Sequence, residues 1–396
     1  MLKMEFLVLA LVYSVSIWAL PFPNWTSFRI AFVAVITAPS ISLRQRVSML
    51  FYFSQELLLL PVWAVFWLLD EILFPSYHNQ EIREPIFIIS QPRSGTTFLL
   101  RTLSEDRDTF LSVKHLEWRY PYISLWKLID FLGLRNWLET RSYWPDTELG
   151  RTCRKIHYHV LGNYEEFGIF LEERFYHHYF VFRRFPFKSV LERVSLFDSL
   201  SEAAKNNMIT TFLHVIRKVY FYRGNAEIFL AKENENIEFC RAVINRLDDA
   251  RILMICRDPQ PMLDSYLTMS VTCTEVKHGI DPTTLSGWQE VNTQFRREQC
   301  RKFVEFWHDI RQRRVSVLVP FRDYTTNVLS STRRIYQKFE LSMKPEFLSF
   351  LEETQKKQDQ REKGYKNLSC SEPDFEFYRD FVHQAERKGQ TFGAAQ

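Results

Sequence analysis

Glycine is scarce in this chain, at 11 of 396 residues. Low-complexity and linker-like segments need far more of it, so disorder is excluded as the main organisation. An excess of one charge is also missing: 51 Lys and Arg face 47 Asp and Glu, a formal balance of +4. That gives no argument for a nucleic-acid partner, although local basic patches can still attract an anionic ligand. The six cysteines (Cys153, Cys240, Cys256, Cys273, Cys300 and Cys370) lie far apart and form no Cys-x-x-Cys or Cys/His metal pattern. Cys256 falls inside an apolar strand and reads as plain core; an even count permits disulfides without arguing for them. The Gly-x-x-x-x-Gly-Lys-Ser/Thr loop of P-loop NTPases is absent. No internal repeat is visible.

Apolar and aromatic residues are plentiful, at 46% and 16%, enough for a large core. We divide the chain into an apolar helical region, residues 1–80, and a second domain, residues 81–396. The first region holds three apolar runs, Phe6 to Leu20, Ile30 to Ile36, and Leu57 to Leu69 interrupted by Pro61, with Arg29, Arg44 and Arg46 between them. Three readings compete: a cleaved signal peptide, a membrane anchor, or helices packed on the following domain. No Ala-x-Ala-like site follows the first run, which disfavours cleavage. The amount of apolar surface favours membrane association through residues 1–73 and a secretory-pathway setting (Golgi or ER), with the cytoplasm as the alternative. Runs this short also suit buried or interfacial helices. Asn24-Trp25-Thr26 and Asn367-Leu368-Ser369 are glycosylation sequons, a pattern common by chance.

The most informative segment is Pro85 to Leu103, which contains Pro92-Arg93-Ser94-Gly95-Thr96-Thr97. It reads as a buried strand, a hydroxyl-rich turn and a helix. Such a turn aims backbone N–H groups and the positive end of a helix dipole at one point, which suits an anion. Ser94, Thr96 and Thr97 add hydroxyl donors, Arg93 a permanent charge, and Gly95 a close backbone approach. The bland alternative is a turn in which Ser94 or Thr96 merely caps the helix. A second strand–turn–helix, Ala250 to Tyr266, carries Arg257-Asp258-Pro259 at the strand end and Ser265 in the first turns of the helix. Ligands of open α/β sheets bind beyond the carboxyl ends of strands, so Arg93 and Arg257 are expected at one sheet edge. Glu227 to Lys232 and Val315 to Val319 read as further strands. Apolar faces predict helices over Arg297 to Arg313 and Asn327 to Phe339, and the charge-dominated Leu351 to Lys366 reads as a solvated helix and loop. The alternation predicts a parallel α/β sheet with helices on both faces.

Together these two motifs resemble the sulfotransferases that use 3′-phosphoadenosine 5′-phosphosulfate (PAPS), in the divergent branch with Pro-Arg-Ser-Gly-Thr-Thr, over about residues 85 to 380. The resemblance implies the P-loop-like sulfotransferase fold, no metal requirement, and transfer of a sulfuryl group from PAPS to an acceptor hydroxyl. It implies that Arg93, Ser94, Gly95, Thr96 and Thr97 hold the 5′-phosphosulfate, with Arg93 on the leaving phosphate, and that Arg257 and Ser265 hold the 3′-phosphate. Lys232 matches a Lys that works near the sulfuryl group, but Glu233, Asn234 and Asn236 stand where relatives place a His. Relatives carry a candidate base in the region of Val113 to Pro121, read here as a second strand-loop; Glu117 is the first choice and His115 the second. His titrates closer to neutrality, whereas Glu needs partial desolvation.

Glu165 and Glu166 resemble an acidic pair that shapes the acceptor site. The His177-His178 pair lacks a spaced third ligand. Lys363 to Lys366 match loosely a loop that closes over the nucleotide. The aromatic segment 104–225, with Trp118, Tyr120, Trp126 and Trp144, is expected to line a pocket for a carbohydrate, sterol, phenol or lipid hydroxyl. The alternatives are a nucleotide kinase or NTPase on a related sheet, and a non-catalytic binding protein on the same scaffold.

Overall fold

The computed structural model describes residues 10–14, 24–179, 184–193, 197–224, 228–360, 367–368 and 374–393. Five strands, β1 (Ile86–Ser90), β2 (Phe110–Ser112), β3 (Ile228–Glu233), β4 (Arg251–Cys256) and β5 (Ser316–Pro320), form one sheet in the order β2-β3-β1-β4-β5. Every pairing is parallel. The helices used below are α1 (Trp25–Thr37), α2 (Leu43–Leu73), α3 (Thr96–Leu103), α4 (His115–Arg119), α5 (Glu148–Ile156), α6 (Glu202–Arg223), α7 (Pro259–His278), α8 (Trp288–Arg313) and α9 (Pro345–Asp359).

Uniform apolarity in the strands follows from burial on both faces. Phe87 and Ile89 point into one core layer, with Phe229, Ile252 and Met254; Ile86 and Ile88 point into the other, with Leu230 and Leu253. The central position of β1, between β3 and β4, makes the chain reverse its winding there. The expected strands are found. Val113 to Pro121 is not one: the strand ends at Ser112, and α4 follows at once. The helix expected from Arg297 starts earlier, at Trp288. The solvated helix expected from Leu351 is the second half of α9, which starts earlier, at Pro345, and buries only Phe347 and Leu351, against the sheet's second layer.

The N-terminal helices join the main core. Ala31, Val35, Met49, Tyr52 and Phe53 belong to the same apolar cluster as Phe87 and Ile89, so these helices pack on the domain. Helix α2 runs through Pro61, the residue that interrupts the apolar run Leu57 to Leu69. Pro supplies no N–H to the preceding turn; the burial of Leu60, Ala64 and Trp67 on either side of it holds the helix together. No helix among the described residues is long and apolar enough to cross a membrane; most of Phe6 to Leu20 lies outside them. Asn24 is buried and its side chain accepts from Ser27 N at 3.1 Å, capping α1. That sequon therefore offers its amide to the fold. Cys153, Cys240, Cys256, Cys273 and Cys300 are all buried free thiols.

One buried ion pair fastens α2 to the domain. Asp70 accepts from the backbone N–H groups of Ile123 and Ser124 at 2.8 and 2.7 Å, capping the helix Ile123–Phe131. It also meets Lys218 of α6 at 3.0 Å, with both side chains fully buried. The Lys218 ammonium sits 3.5 Å from the centroid of the Trp67 ring. Removing one member of such a pair strands the other charge. Asp70→Ala is expected to lower unfolding stability by about 3–5 kcal/mol, read from the midpoint of a urea unfolding curve at constant m-value.

Candidate active site

Parallel register sets the site. Ile89 stands opposite Glu233 and Met254, and Ser90 opposite Ile255, so β1, β3 and β4 end together. The segments that leave these ends meet in a cleft of about 580 Å³ lined by Arg93, Gly95, Thr96, Thr97, Lys232, Asn234, Arg257 and Ser265. Helix α3 opens on this cleft. Gly95 is its N-cap residue and no side chain caps it, which leaves its first N–H groups for a ligand. Gly95 has φ +85°, and a Cβ there would lie 2.7 Å from the Phe321 ring. Arg93 has φ +64°, a left-handed conformation that costs a side-chain-bearing residue roughly 1–2 kcal/mol.

The two arginine-bearing corners interlock. Arg257 donates to the carbonyl of Arg93, and its guanidinium stacks 4.4 Å above the Phe321 ring. Arg93 Nε in turn donates to Ser265 Oγ at 2.9 Å, and its Nη2 donates to Ile156 O at 3.2 Å. The Arg93 guanidinium thus belongs to the Arg257–Ser265 corner, where the sequence comparison puts it beside the other phosphate. At the opposite end Lys232 Nζ donates to Thr97 Oγ1 at 2.7 Å and lies 3.2 Å from Glu166 Oε2. Thr96 Oγ1 donates to Asn234 Oδ1 at 2.8 Å, and Asn234 Nδ2 donates to Glu166. Ser94 is fully buried, and its hydroxyl has no partner among the described residues.

Five cationic side chains line the cleft, Arg93, Arg101, Lys155, Lys232 and Arg257, against one carboxylate, Glu166. That balance selects a polyanion. Asn367 also lines the cleft, with a buried Oδ1 that has no partner among the described residues, so the asparagine side chain of the second sequon faces inward. Lys363 to Lys366 lie outside the described residues.

His157, which the sequence reading passed over, follows α5 and lines the cleft. Its Nε2 is 3.7 Å from Glu165 Oε1. Burial, reinforced by His159, Arg93 and Arg101, outweighs the pull of Glu165 and holds this imidazole well below its ordinary pKa. Glu165 is fully buried; His159, Lys232, His157 and Arg101 outweigh the burial and keep it ionised, below the usual carboxylate range. The Glu165–Glu166 segment is pinned by Trp118 Nε1 donating to Glu165 O at 3.0 Å and by Phe167 N donating to Lys232 O at 3.1 Å.

Glu117 is not brought to this cleft. It accepts from Arg223 at 2.8 and 2.9 Å and from Lys114 N at 2.9 Å, and it lines a separate surface cleft with Arg135 and Asp130. His115 is buried behind His159, with Nδ1 2.7 Å from His159 Nε2. His177 and His178 face buried carboxylates, Glu233 at 3.0 Å and Glu235. Trp118, Trp126 and Trp144 are core residues, because their indoles complete the packing of short helices. Ile156, His157, Tyr158 and Tyr179 also line the cleft.

A model of the sulfotransferase family matches residues 85–345, and the chain belongs to that family. Sulfotransferase STF9 from Mycobacterium avium superposes with a TM-score of 0.66 at 14% identity, covering 94% of both chains. Sulfotransferase STF1 from Mycobacterium tuberculosis H37Rv does so with a TM-score of 0.55 at 12% identity, covering 94% of this chain and 96% of its own. At such identity these likenesses concern the fold. No curated protein sequence matches the chain.

Gly95→Ala tests the loop directly. The added methyl must occupy a left-handed position and push the Phe321 ring off Arg257. A loss of about 1–2 kcal/mol in unfolding stability is expected in urea titration, together with weaker anion binding at the cleft.

Proposed function

We propose that the cleft binds PAPS and that the protein transfers its sulfuryl group to a hydroxyl of an acceptor molecule. The carrying observation is the pair of cationic ends in one cleft: Arg93, Arg257 and Ser265 at one, Thr97, Lys232 and the start of α3 at the other. A nucleotide with separate 3′ and 5′ anionic groups spans two such ends. The 3′-phosphate would sit at the arginine corner and the phosphosulfate at α3. An NTPase reading fares worse, because Mg²⁺ needs a free carboxylate and Glu166, the one acid lining the cleft among the described residues, is engaged by Lys232 and Asn234.

In the reaction, the acceptor oxygen bonds to sulfur as the bond from sulfur to the bridging phosphate oxygen breaks. The leaving phosphate keeps the electron pair, and Lys232, Thr97 and the α3 N–H groups stabilise that charge. His157 takes the acceptor's proton. It is neutral near pH 7 and reaches the cleft, and ionised Glu165 stabilises the imidazolium that forms, so we assign it as general base in place of Glu117 or His115.

Calorimetry with 3′-phosphoadenosine 5′-phosphate is expected to show one site, with Arg257→Ala losing at least tenfold in affinity. Equal binding of ATP would favour the kinase reading. Radiolabelled sulfate transfer from PAPS to pooled hydroxylated acceptors tests turnover, and its absence despite nucleotide binding would indicate a non-catalytic scaffold. His157→Gln is expected to lower kcat by about 10²–10⁴-fold, while Glu117→Gln leaves kcat close to that of the parent protein. A base of lowered pKa is deprotonated, and so competent, at any pH above that value. The acid limb of kcat/KM is therefore expected below pH 6.5, and a limb above it would overturn the assignment.

A further inference from the structure

A second cavity lies away from the donor cleft, between α2 and the domain. It encloses about 170 Å³ and shares no lining residue with the cleft. A cavity of roughly 150 Å³ with apolar walls holds a benzene-sized body, so this one holds a benzene-sized segment of a longer chain, whose remainder must lie outside it. Its walls are mostly aromatic and aliphatic. Trp63 stacks on Tyr122 with ring centroids 5.8 Å apart and 5° between planes, and lies 4.9 Å from Tyr120. Trp25, Leu60 and Trp67 complete this side.

Charged side chains mark the other end. Arg119, Arg174, Glu173 and Glu56 all line the cavity. Arg119 Nη2 is 3.5 Å from Glu173 Oε1, but Arg119 Nε is buried with no hydrogen-bond partner among the described residues. A buried guanidinium N–H left unpaired is costly, and an oxygen acceptor on a ligand removes that cost. Burial, with Glu173 beside it, pushes the Glu56 carboxyl up to about 7 against the pull of Arg119, Arg184 and Arg174. The two arginines are therefore not fully offset near neutrality, which favours an anionic head over a cationic one.

The outer face of α2 indicates where such a ligand comes from. Val47, Phe51, Leu58, Val62, Val65 and Ile72 are all exposed. Their spacings of four, seven, four, three and seven residues put them on one stripe of the helix. Leu57 and Leu59, beside exposed Leu58, line the cavity. Apolar surface outside and an aromatic chamber inside are thus on the same helix.

We propose that this cavity is a binding site for a single-chain amphiphile, with its hydrocarbon against Trp63, Trp67 and Tyr122 and an oxygen-bearing anionic head at Arg119. Long-chain fatty acids are the simplest members of that class. The site is independent of the sulfuryl-transfer reading, since neither its walls nor its ligand involves the donor cleft.

The test is titration of the full chain with palmitate, and separately with hexadecanol, below their critical aggregation concentrations, by displacement of a dansyl-labelled fatty acid. Saturable one-to-one palmitate binding is expected, with hexadecanol weaker because it lacks the charge. Leu60→Trp fills the chamber and is expected to weaken palmitate at least tenfold. Leu59→Trp narrows it from a more exposed position, in case the first variant folds poorly. Arg119→Met is expected to reduce palmitate affinity to the level of hexadecanol. Binding of 3′-phosphoadenosine 5′-phosphate by the same variants serves as the folding control and should not change. No saturable binding would overturn the proposal. So would palmitate binding that both tryptophan variants leave intact, or equal affinity for the alcohol and the acid.

Discussion

The cleft at the strand ends depends on a reciprocal clasp between two turns that are 164 residues apart in sequence. The guanidinium of Arg257 holds the carbonyl of Arg93, while the side chain of Arg93 reaches back to Ser265. Each turn thereby fixes the other. The clasp offers an account of how Arg93 stays in its left-handed backbone conformation: the surrounding bonds over-determine it, as is usual where strain is kept at a functional site. Phe321 completes the arrangement by filling the space beside Gly95 and supporting Arg257 from below.

Beneath the cleft is an unusually charged interior. Arg296 is fully buried and meets Glu235, which also faces His178; its Nη1 donates to Gln91 Oε1 at 3.1 Å, just past the end of β1. Gln91 Nε2 then donates to Gln299 O on α8 at 3.0 Å. His177 pairs with Glu233 at the end of β3. These groups are expensive to desolvate, and what they supply is position. The strand ends that carry Lys232 and lead into the Arg93 turn are fastened from below by directional bonds, which apolar packing alone would not provide.

Much of this was legible in the sequence because its causes are local. Ile86 to Ile89 and Arg251 to Cys256 are apolar at every or nearly every position, which is what burial on both faces demands. The Arg93–Thr97 and Arg257–Ser265 segments carry their chemistry within a few residues of a strand end, so topology alone brings them together. The less legible features depend on tertiary packing. β2 is three residues long, too short for any periodicity. Glu117 lies in a promising segment, yet α4 turns its carboxylate toward Arg223 on α6, about a hundred residues on. His157 carries no motif; it matters because α5 ends at the rim of the cleft beside Glu165.

The clasp also bears on turnover. Arg93 and Ser265 already satisfy each other before any nucleotide arrives, so a phosphate entering that corner exchanges one set of bonds for another. Part of the enthalpy of occupancy is thereby refunded when the spent nucleotide leaves, because the corner closes on itself again. On the proposed function, a corner organised this way would trade ground-state affinity for easier release of a product that carries two phosphates.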